Sequence, residues 1–206
     1  FAQEEAGAKV LDVNVGLPGI DEPALLTEVM ESLQAVLPLP LQLDTSDPEA
    51  MERAMRRYNG KPMLNSVSGK AESMAALFPL VKKYGGVVVG LALDEKGIPP
   101  TAEGRLAIAR KICDTAAQYG IPRKELVIDP LTLTISSEPE AAKVTLEAVG
   151  RIRRELGVST ILGVSNVSFG LPRRELVNTA FFTMALQQGL DCAILNPNNA
   201  AMMGAW

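Results

Sequence analysis

The sequence repeats one unit, in which a short run of apolar residues is followed by a loop, an amphipathic helix and a glycine. The runs are candidate strands at residues 10–14, 41–44, 63–65, 87–93, 126–129, 160–164 and 193–195. Their apolar residues stand at consecutive rather than alternating positions, which indicates strands that are buried on both faces. The pattern therefore predicts a parallel sheet covered by helices.

The helices between these strands carry start and stop signals. Asp21, Asp47 and Ser137 each precede a proline by one or two residues, so all three are candidate N-caps. Glycines stand shortly before the strands, where a left-handed residue would end a helix. These are Gly7, Gly60, Gly85, Gly120, Gly157 and Gly189.

Regular alternation of strand and helix requires right-handed crossovers and an all-parallel sheet, which is either open or closed. An open sheet usually carries a glycine-rich phosphate loop, and the sequence has neither a GxGxxG nor a Walker motif. The even repeat favours a (β/α)₈ TIM barrel, which needs eight strands in roughly 250 residues. With seven candidate strands, we expect residues 1–206 to form a single barrel domain, truncated at both ends, that lacks the first strand and most of the last helix.

Polar side chains of two types follow the strands. They are Asn14, Asp44, Asn65, Asp94, Asp129, Asn166 and Asn196. In a barrel these positions share the C-terminal rim, where active sites lie. Asp and Asn also start loops and cap helices. However, separate cap candidates stand several residues later, so caps do not account for the whole set.

Carboxylates and amides at one rim suit a ligand with a flat N–H/NH₂ edge, such as a pterin or a purine. A sugar phosphate would call for basic residues or a glycine-rich helix start, and a Schiff-base aldolase would need a lysine at a strand end. The absence of histidine from the sequence excludes Ser-His and Cys-His dyads. A divalent metal would suit carboxylate and amide oxygens, but the acidic residues are interspersed with asparagines, so no compact carboxylate cluster is expected.

The overall composition excludes several classes of binding partner. The net charge of -4 gives no basic surface for nucleic acid or an anionic membrane, and no apolar run reaches the roughly 18 residues of a membrane span. Cys113 and Cys192 lie in separate apolar stretches, which predicts two reduced cysteines in a cytoplasmic protein.

Five segments together resemble the pterin-binding methyltransferase family. They are Asp-Val-Asn-Val-Gly ending at Gly16, Leu-Asp-Thr ending at Thr45, Leu-Asn-Ser-Val ending at Val67, Ile-Asp-Pro-Leu ending at Leu131 and Gly-Val-Ser-Asn-Val-Ser-Phe-Gly-Leu-Pro ending at Pro172. Within the family they look most like the methyltetrahydrofolate-binding domain of cobalamin-dependent methionine synthase. The Ser-Phe-Gly that contains Phe169 separates them from the sister enzymes that methylate a corrinoid iron–sulfur protein.

The resemblance implies a role for each rim position. Asp44, Asn65 and Asp129 would bind the pterin ring, Asn14 would support the same pocket, and Asn166 would reach N5, the atom that carries the methyl group. Asp94, Asn196 and Arg174 would be secondary rim residues. The resemblance also implies methyltetrahydrofolate as substrate, cobalamin supplied by a partner domain or protein, and a homodimer as the expected assembly.

Three alternatives remain open. The chain could transfer the methyl group to a corrinoid iron–sulfur protein, or it could bind folate without catalysis. It could also resemble dihydropteroate synthase, which shares the barrel and the pterin pocket. That family expects a glycine-rich segment after the late Asp-Pro and a basic motif at the seventh strand. Here Leu-Thr-Leu follows Pro130, and the corresponding strand leads into Gly-Val-Ser-Asn.

Overall fold

The computed structural model describes residues 1–206 and contains one parallel sheet of seven strands. The strands are β1 (Leu11–Asn14), β2 (Leu41–Asp44), β3 (Met63–Ser68), β4 (Val87–Leu91), β5 (Leu126–Asp129), β6 (Ser159–Gly163) and β7 (Cys192–Ile194). Each strand pairs in parallel with the next one along the chain. All seven predicted strands are present, and their order confirms a TIM-type barrel, here nearly closed.

Helices alternate with these strands. They are α1 (Ala2–Glu5), α2 (Glu22–Gln34), α3 (Pro48–Arg57), α4 (Ala71–Tyr84), α5 (Ala102–Gln118), α6 (Ala141–Leu156), α7 (Arg174–Gln187) and α8 (Ala200–Ala205). Two 3-10 segments, Arg123–Glu125 and Val164–Ser168, precede β5 and follow β6. No helix combines the length and hydropathy that crossing a membrane would need.

The structure confirms most of the predicted helix boundaries, although the C-cap of α3 is the extended Tyr58, two residues before Gly60. Asp21 and Asp47 cap α2 and α3 by accepting the backbone N–H groups of Ala24 and Glu49 at 3.0 and 2.8 Å, and all six predicted glycines have positive φ. The prediction for Ser137 was wrong, because α6 begins only at Ala141. Residues 134–141 first form two turns, and the Ser137 hydroxyl donates to the Thr134 carbonyl within them.

The sheet separates two apolar regions. Two clusters, of 30 and 9 buried residues, pack the outer face of the strands against the surrounding helices. A smaller cluster, built on Val89, Val127 and Ile161, fills the inside of the barrel. Side chains alternate along a strand, so Asp129 lies on the same inner face as Val127. The predicted rim residues on β1, β2, β3 and β5 therefore stand above the barrel interior.

Both cysteines are free, as predicted. Cys113 is buried in α5, and burial raises the pKa of its thiol to about 11. Burial also raises the pKa of Cys192, and the charge of Asp191 adds to the effect. Both thiols are therefore protonated at neutral pH.

Candidate functional site

Three of the predicted site residues form a row across neighbouring strands. Asn14, Asp44 and Asn65 are register partners on β1, β2 and β3, so their side chains lie side by side on the inner face. The Asn14 amide donates to the Asp44 carboxylate at 2.9 Å, and its oxygen accepts the Gly16 N–H at 3.0 Å. Asn14 thus fixes the orientation of Asp44 while the second carboxylate oxygen stays available.

Asn65 is the last residue of this row and lies on β3. Its backbone carbonyl accepts the Thr45 N–H at 3.0 Å, which ties the start of the loop after β2 to this strand. The Asn65–Ser66 peptide bond is cis, and the register with β4 shifts between Asn65 and Val67. The side-chain amide is half-buried and makes no hydrogen bond to another protein group, so both its donor and its acceptor can meet a ligand.

A second polar pair lies one layer below this row. Gln42 donates to the Asp12 carboxylate at 2.6 Å. Burial raises the pKa of Asp12, the Gln42 hydrogen bond opposes that rise, and the nearby Asp44 charge adds to it. The sequence analysis did not predict this pair. Side chains alternate along a strand, so Asp12 and Gln42, which stand two residues before Asn14 and Asp44, lie on the same inner face.

Asp129 stands on the far side of the row, at the end of β5. One of its oxygens accepts the Leu131 N–H at 2.7 Å. Desolvation by burial raises the pKa of Asp129 to about 7, against the opposing effects of this hydrogen bond and the Arg105 charge. The carboxylate is thus poorly solvated, and a ligand that supplies N–H donors would relieve that cost.

Arg105 on α5 supports the loop that carries Asp129. Its side chain is fully buried, and its guanidinium donates to the carbonyls of Pro99, Pro130 and Leu131 and to the Thr145 hydroxyl. The sequence reading missed Arg105. The available signal was a charged residue immediately before Leu106, on a helix whose apolar face points at the sheet.

Asn166 lies in the 3-10 segment after β6. Its side chain is exposed and hydrogen-bonds to no other protein group. It leans back over Gly163, where an added Cβ would lie only 3.0 Å from the Asn166 Nδ2. A larger residue at position 163 would push the Asn166 amide aside by a few tenths of an ångström, whereas with glycine the amide keeps this orientation and is free for a ligand.

Arg174 holds this segment from the start of α7. Its guanidinium donates to the Ser165 carbonyl and the Ser168 hydroxyl, each at 3.0 Å, and stacks on the Phe169 ring with 4.6 Å between the guanidinium carbon and the ring centroid. The side chain therefore braces the loop that carries Asn166. Arg174 acts on the site through that loop.

The loop after β5 braces the same segment from the other side. The hydroxyls of Thr134 and Ser136 both donate to the Phe169 carbonyl at 2.7 Å, and the Ile135 N–H donates to the Val167 carbonyl at 3.0 Å. The loops that carry Asp129 and Asn166 are thus joined, and the two side chains belong to one connected structure.

The remaining predicted residues are occupied locally. One oxygen of Asp94 accepts the Lys96 N–H at 2.9 Å within a tight turn. Asn196, which is exposed, accepts the Asn198 N–H at 3.0 Å. Each side chain shapes its own loop, so we rank both below the row on β1 to β3 and below Asp129 and Asn166.

Amides and carboxylates on β1 to β3 therefore face a barrel interior that is apolar on β4, β6 and β7. This combination of apolar and hydrogen-bonding side chains suits a flat heterocycle with an N–H edge. The sequence agrees with this chemistry, because a model of pterin-binding enzymes matches residues 2–196. The chain belongs to the pterin-binding enzyme family. The predicted family membership is thus confirmed.

Three curated relatives are similar to this chain over nearly all of its length. A methylcorrinoid:tetrahydrofolate methyltransferase of Eubacterium limosum is 31% identical over 100% of this chain and 77% of its own length. The methionine synthase of Mycobacterium tuberculosis is 31% identical over 98% of this chain but only 18% of its own length, and that of Mycobacterium leprae is 31% identical over 94% and 17%. The chain thus spans less than a fifth of the length of the methionine synthases.

Solved structures agree on the fold. Dihydropteroate synthase from Xanthomonas albilineans in complex with 7,8-dihydropteroate superposes with a TM-score of 0.75 and 24% identity over 99% of this chain and 79% of that one. The Yersinia pestis dihydropteroate synthase gives a TM-score of 0.74 and 14% identity over 99% and 82%. At this identity the similarity establishes a shared barrel.

Proposed function

We propose that this family member binds methyltetrahydrofolate and transfers its N5-methyl group to cob(I)alamin carried by a partner domain or protein. One observation carries the proposal. Asp44, Asn65, Asp129 and Asn166 keep polar side-chain atoms free of other protein groups at one end of the barrel. The relatives that match the whole chain include one enzyme named for methyl transfer between a corrinoid and a folate.

The carboxylates are proposed to recognise the pterin ring. A pterin presents a ring N–H and an amino group on one edge, and a carboxylate accepts both at once. Asp129 suits this role because its desolvated carboxylate lacks partners other than the Leu131 N–H and the Arg105 charge. Asp44 is already oriented by Asn14, so binding would cost little further side-chain entropy at this residue.

Asn166 is proposed to assist departure of N5. The methyl group is bonded to a tertiary amine, which leaves poorly when a Co(I) nucleophile attacks. Uptake of a proton from solvent makes N5 cationic, so that, as the methyl group passes to Co(I), N5 keeps the bonding electron pair and leaves as a neutral N–H amine. The Asn166 oxygen can accept the resulting N–H without a titratable side chain. The protein thus contributes orientation and electrostatics, and the corrinoid contributes the nucleophile.

We infer that the corrinoid arrives on a partner, because this sequence contains no histidine that could ligate cobalt. The exposed Asn166 would meet it at the open end of the barrel. The homodimer expected from the resemblance remains a prediction.

A second candidate concerns the direction of transfer. The Eubacterium limosum relative is named for transfer from methylcorrinoid to tetrahydrofolate, and this chain covers 77% of it. The same residues serve both directions, because forward and reverse reactions share one transition state. With a separate corrinoid protein the net direction would then follow the supply of methyl groups rather than the site.

The experiment follows the loss of cob(I)alamin absorbance after anaerobic mixing with the protein and methyltetrahydrofolate. We expect Asn166→Ala to slow this reaction by about 10- to 100-fold, the loss expected for one hydrogen bond to a charged group, with KM nearly unchanged. Gln187→Ala, an exposed amide at the other end of α7, is the control and should react like the wild type. Folate binding without reaction in the wild type would contradict the proposal, and full activity of Asn166→Ala would refute the role of Asn166.

A further inference from the structure

Leu131, two residues after Asp129, has an unusual backbone conformation. Its φ of 70° lies in the left-handed region, which branched and bulky side chains rarely adopt. In this conformation the Leu131 N–H points back and donates to the Asp129 carboxylate at 2.7 Å. A conformation of this kind persists only when its surroundings hold it in place.

Arg105 supplies most of that restraint. Its Nη1 donates to the Leu131 carbonyl at 2.8 Å and to the Pro130 carbonyl at 3.1 Å, so it holds the peptide groups on both sides of Leu131. The Thr145 hydroxyl donates to the same Leu131 carbonyl at 3.0 Å and accepts from Arg105 at 2.9 Å. The Arg105 Nε also donates to the Pro99 carbonyl at 3.1 Å, which anchors the side chain to the loop after β4.

The positive charge of Arg105 also acts on the Asp129 carboxylate. Burial lowers the pKa of the guanidinium, and the charges of Glu138, in the turns before α6, and Asp129 oppose that change. The same positive charge and the Leu131 N–H both favour the ionised form of Asp129. The backbone restraint and the charge thus act on one carboxylate.

We propose that Arg105 is a positioning residue for the candidate site, which holds Leu131 in the left-handed conformation so that its N–H orients the Asp129 carboxylate toward the barrel mouth. Arg105 does not touch the substrate in this arrangement. The importance of this carboxylate for folate rests on the proposed function, whereas the effect of Arg105 on Asp129 does not.

The first test therefore uses the protein without folate. In Arg105→Met, we expect the ¹³C-carboxyl titration midpoint of Asp129 to rise by about one unit, and the Leu131 amide to lose its protection from hydrogen exchange. Arg110→Met, an exposed arginine on the same helix, is the matched control and should leave both unchanged. An unchanged midpoint and an unchanged amide in Arg105→Met would overturn the proposal.

Two further variants separate the charge from the backbone restraint. Arg105→Lys keeps a cation but cannot reach four acceptors at once, so it should lose the Leu131 protection; it also carries the test if Arg105→Met does not fold. Leu131→Gly in the Arg105→Met background adopts positive φ without strain. We expect it to recover part of the folate affinity while the Asp129 midpoint stays high. No recovery would overturn the backbone role.

Folate binding then separates this proposal from the proposed function. We expect Arg105→Met to bind methyltetrahydrofolate about tenfold more weakly, in line with the loss of one oriented charged acceptor. If the midpoint and the amide change as expected but the wild type binds no folate, the proposed function fails and the positioning role stands. Wild-type folate affinity in Arg105→Met would overturn the positioning role.

Discussion

Replacement of Asp129 by asparagine keeps the shape of the side chain, and an amide oxygen can still accept the Leu131 N–H, but the charge is lost. Burial raises the pKa of Asp129 from 3.8 to about 7, so the folded protein holds this proton more tightly than the unfolded chain does. The ionised carboxylate therefore destabilises the folded state, and this cost grows as the pH rises from about 4 to about 7.

The size of the effect follows from the shift. A rise from 3.8 to about 7 corresponds to about 4 kcal/mol at about 1.4 kcal/mol per unit, which is an upper value. We expect Asp129→Asn to increase the free energy of unfolding by up to this amount at about pH 8 and by little near pH 4. The same variant should bind methyltetrahydrofolate about 10- to 100-fold more weakly, because the pterin edge loses a charged acceptor.

Urea unfolding followed by circular dichroism at about pH 5 and about pH 8 measures the first effect, and titration calorimetry measures the second. Asp94→Asn, at a rim carboxylate that caps its own turn, is the control, and we expect it to change stability by less than about 1 kcal/mol. A variant that is less stable than the wild type at high pH, or a change that does not depend on pH, would refute the reasoning about Asp129.

Three further predictions concern the same site. Folate affinity of the wild type should fall by up to about tenfold per pH unit below about pH 7, because protonated Asp129 cannot accept both pterin donors; calorimetry across pH checks this. Gly163→Ala should fold normally but slow methyl transfer by about tenfold, because the added Cβ lies 3.0 Å from the Asn166 Nδ2. Arg174→Gln should lower the free energy of unfolding by about 1–2 kcal/mol and slow methyl transfer, because the Asn166 loop loses two hydrogen-bond donors. Arg173→Gln, at the neighbouring residue, is the control. Equal losses of stability and of transfer rate in both variants would contradict the role of Arg174.

The sequence predicts much of the fold because its signals are local. Apolar runs bounded by caps and glycines mark all seven strands, and strand ends in a parallel barrel must share one rim. Ser137 shows the limit of such signals, because the turns that delay α6 depend on hydrogen bonds to residues 134 and 138 that no cap motif encodes.

The site is predicted less completely. The row of Asn14, Asp44 and Asn65 follows from strand register. Arg105 does not, because its partners come from two loops and one helix that are far apart in sequence. An arginine within a helix is normally expected to be solvent-exposed. The left-handed Leu131 is equally hidden, since leucine gives no signal for positive φ.

The most direct measurement follows the methyl group itself. Methyltetrahydrofolate labelled with ¹³C in the N5-methyl group is mixed with cob(I)alamin and the protein under anaerobic conditions, and ¹³C NMR records which atom carries the label. The account predicts that the signal leaves nitrogen and appears on cobalt when the protein is present and remains on nitrogen without it. A label that stays on nitrogen while the protein demonstrably binds the folate would contradict the account.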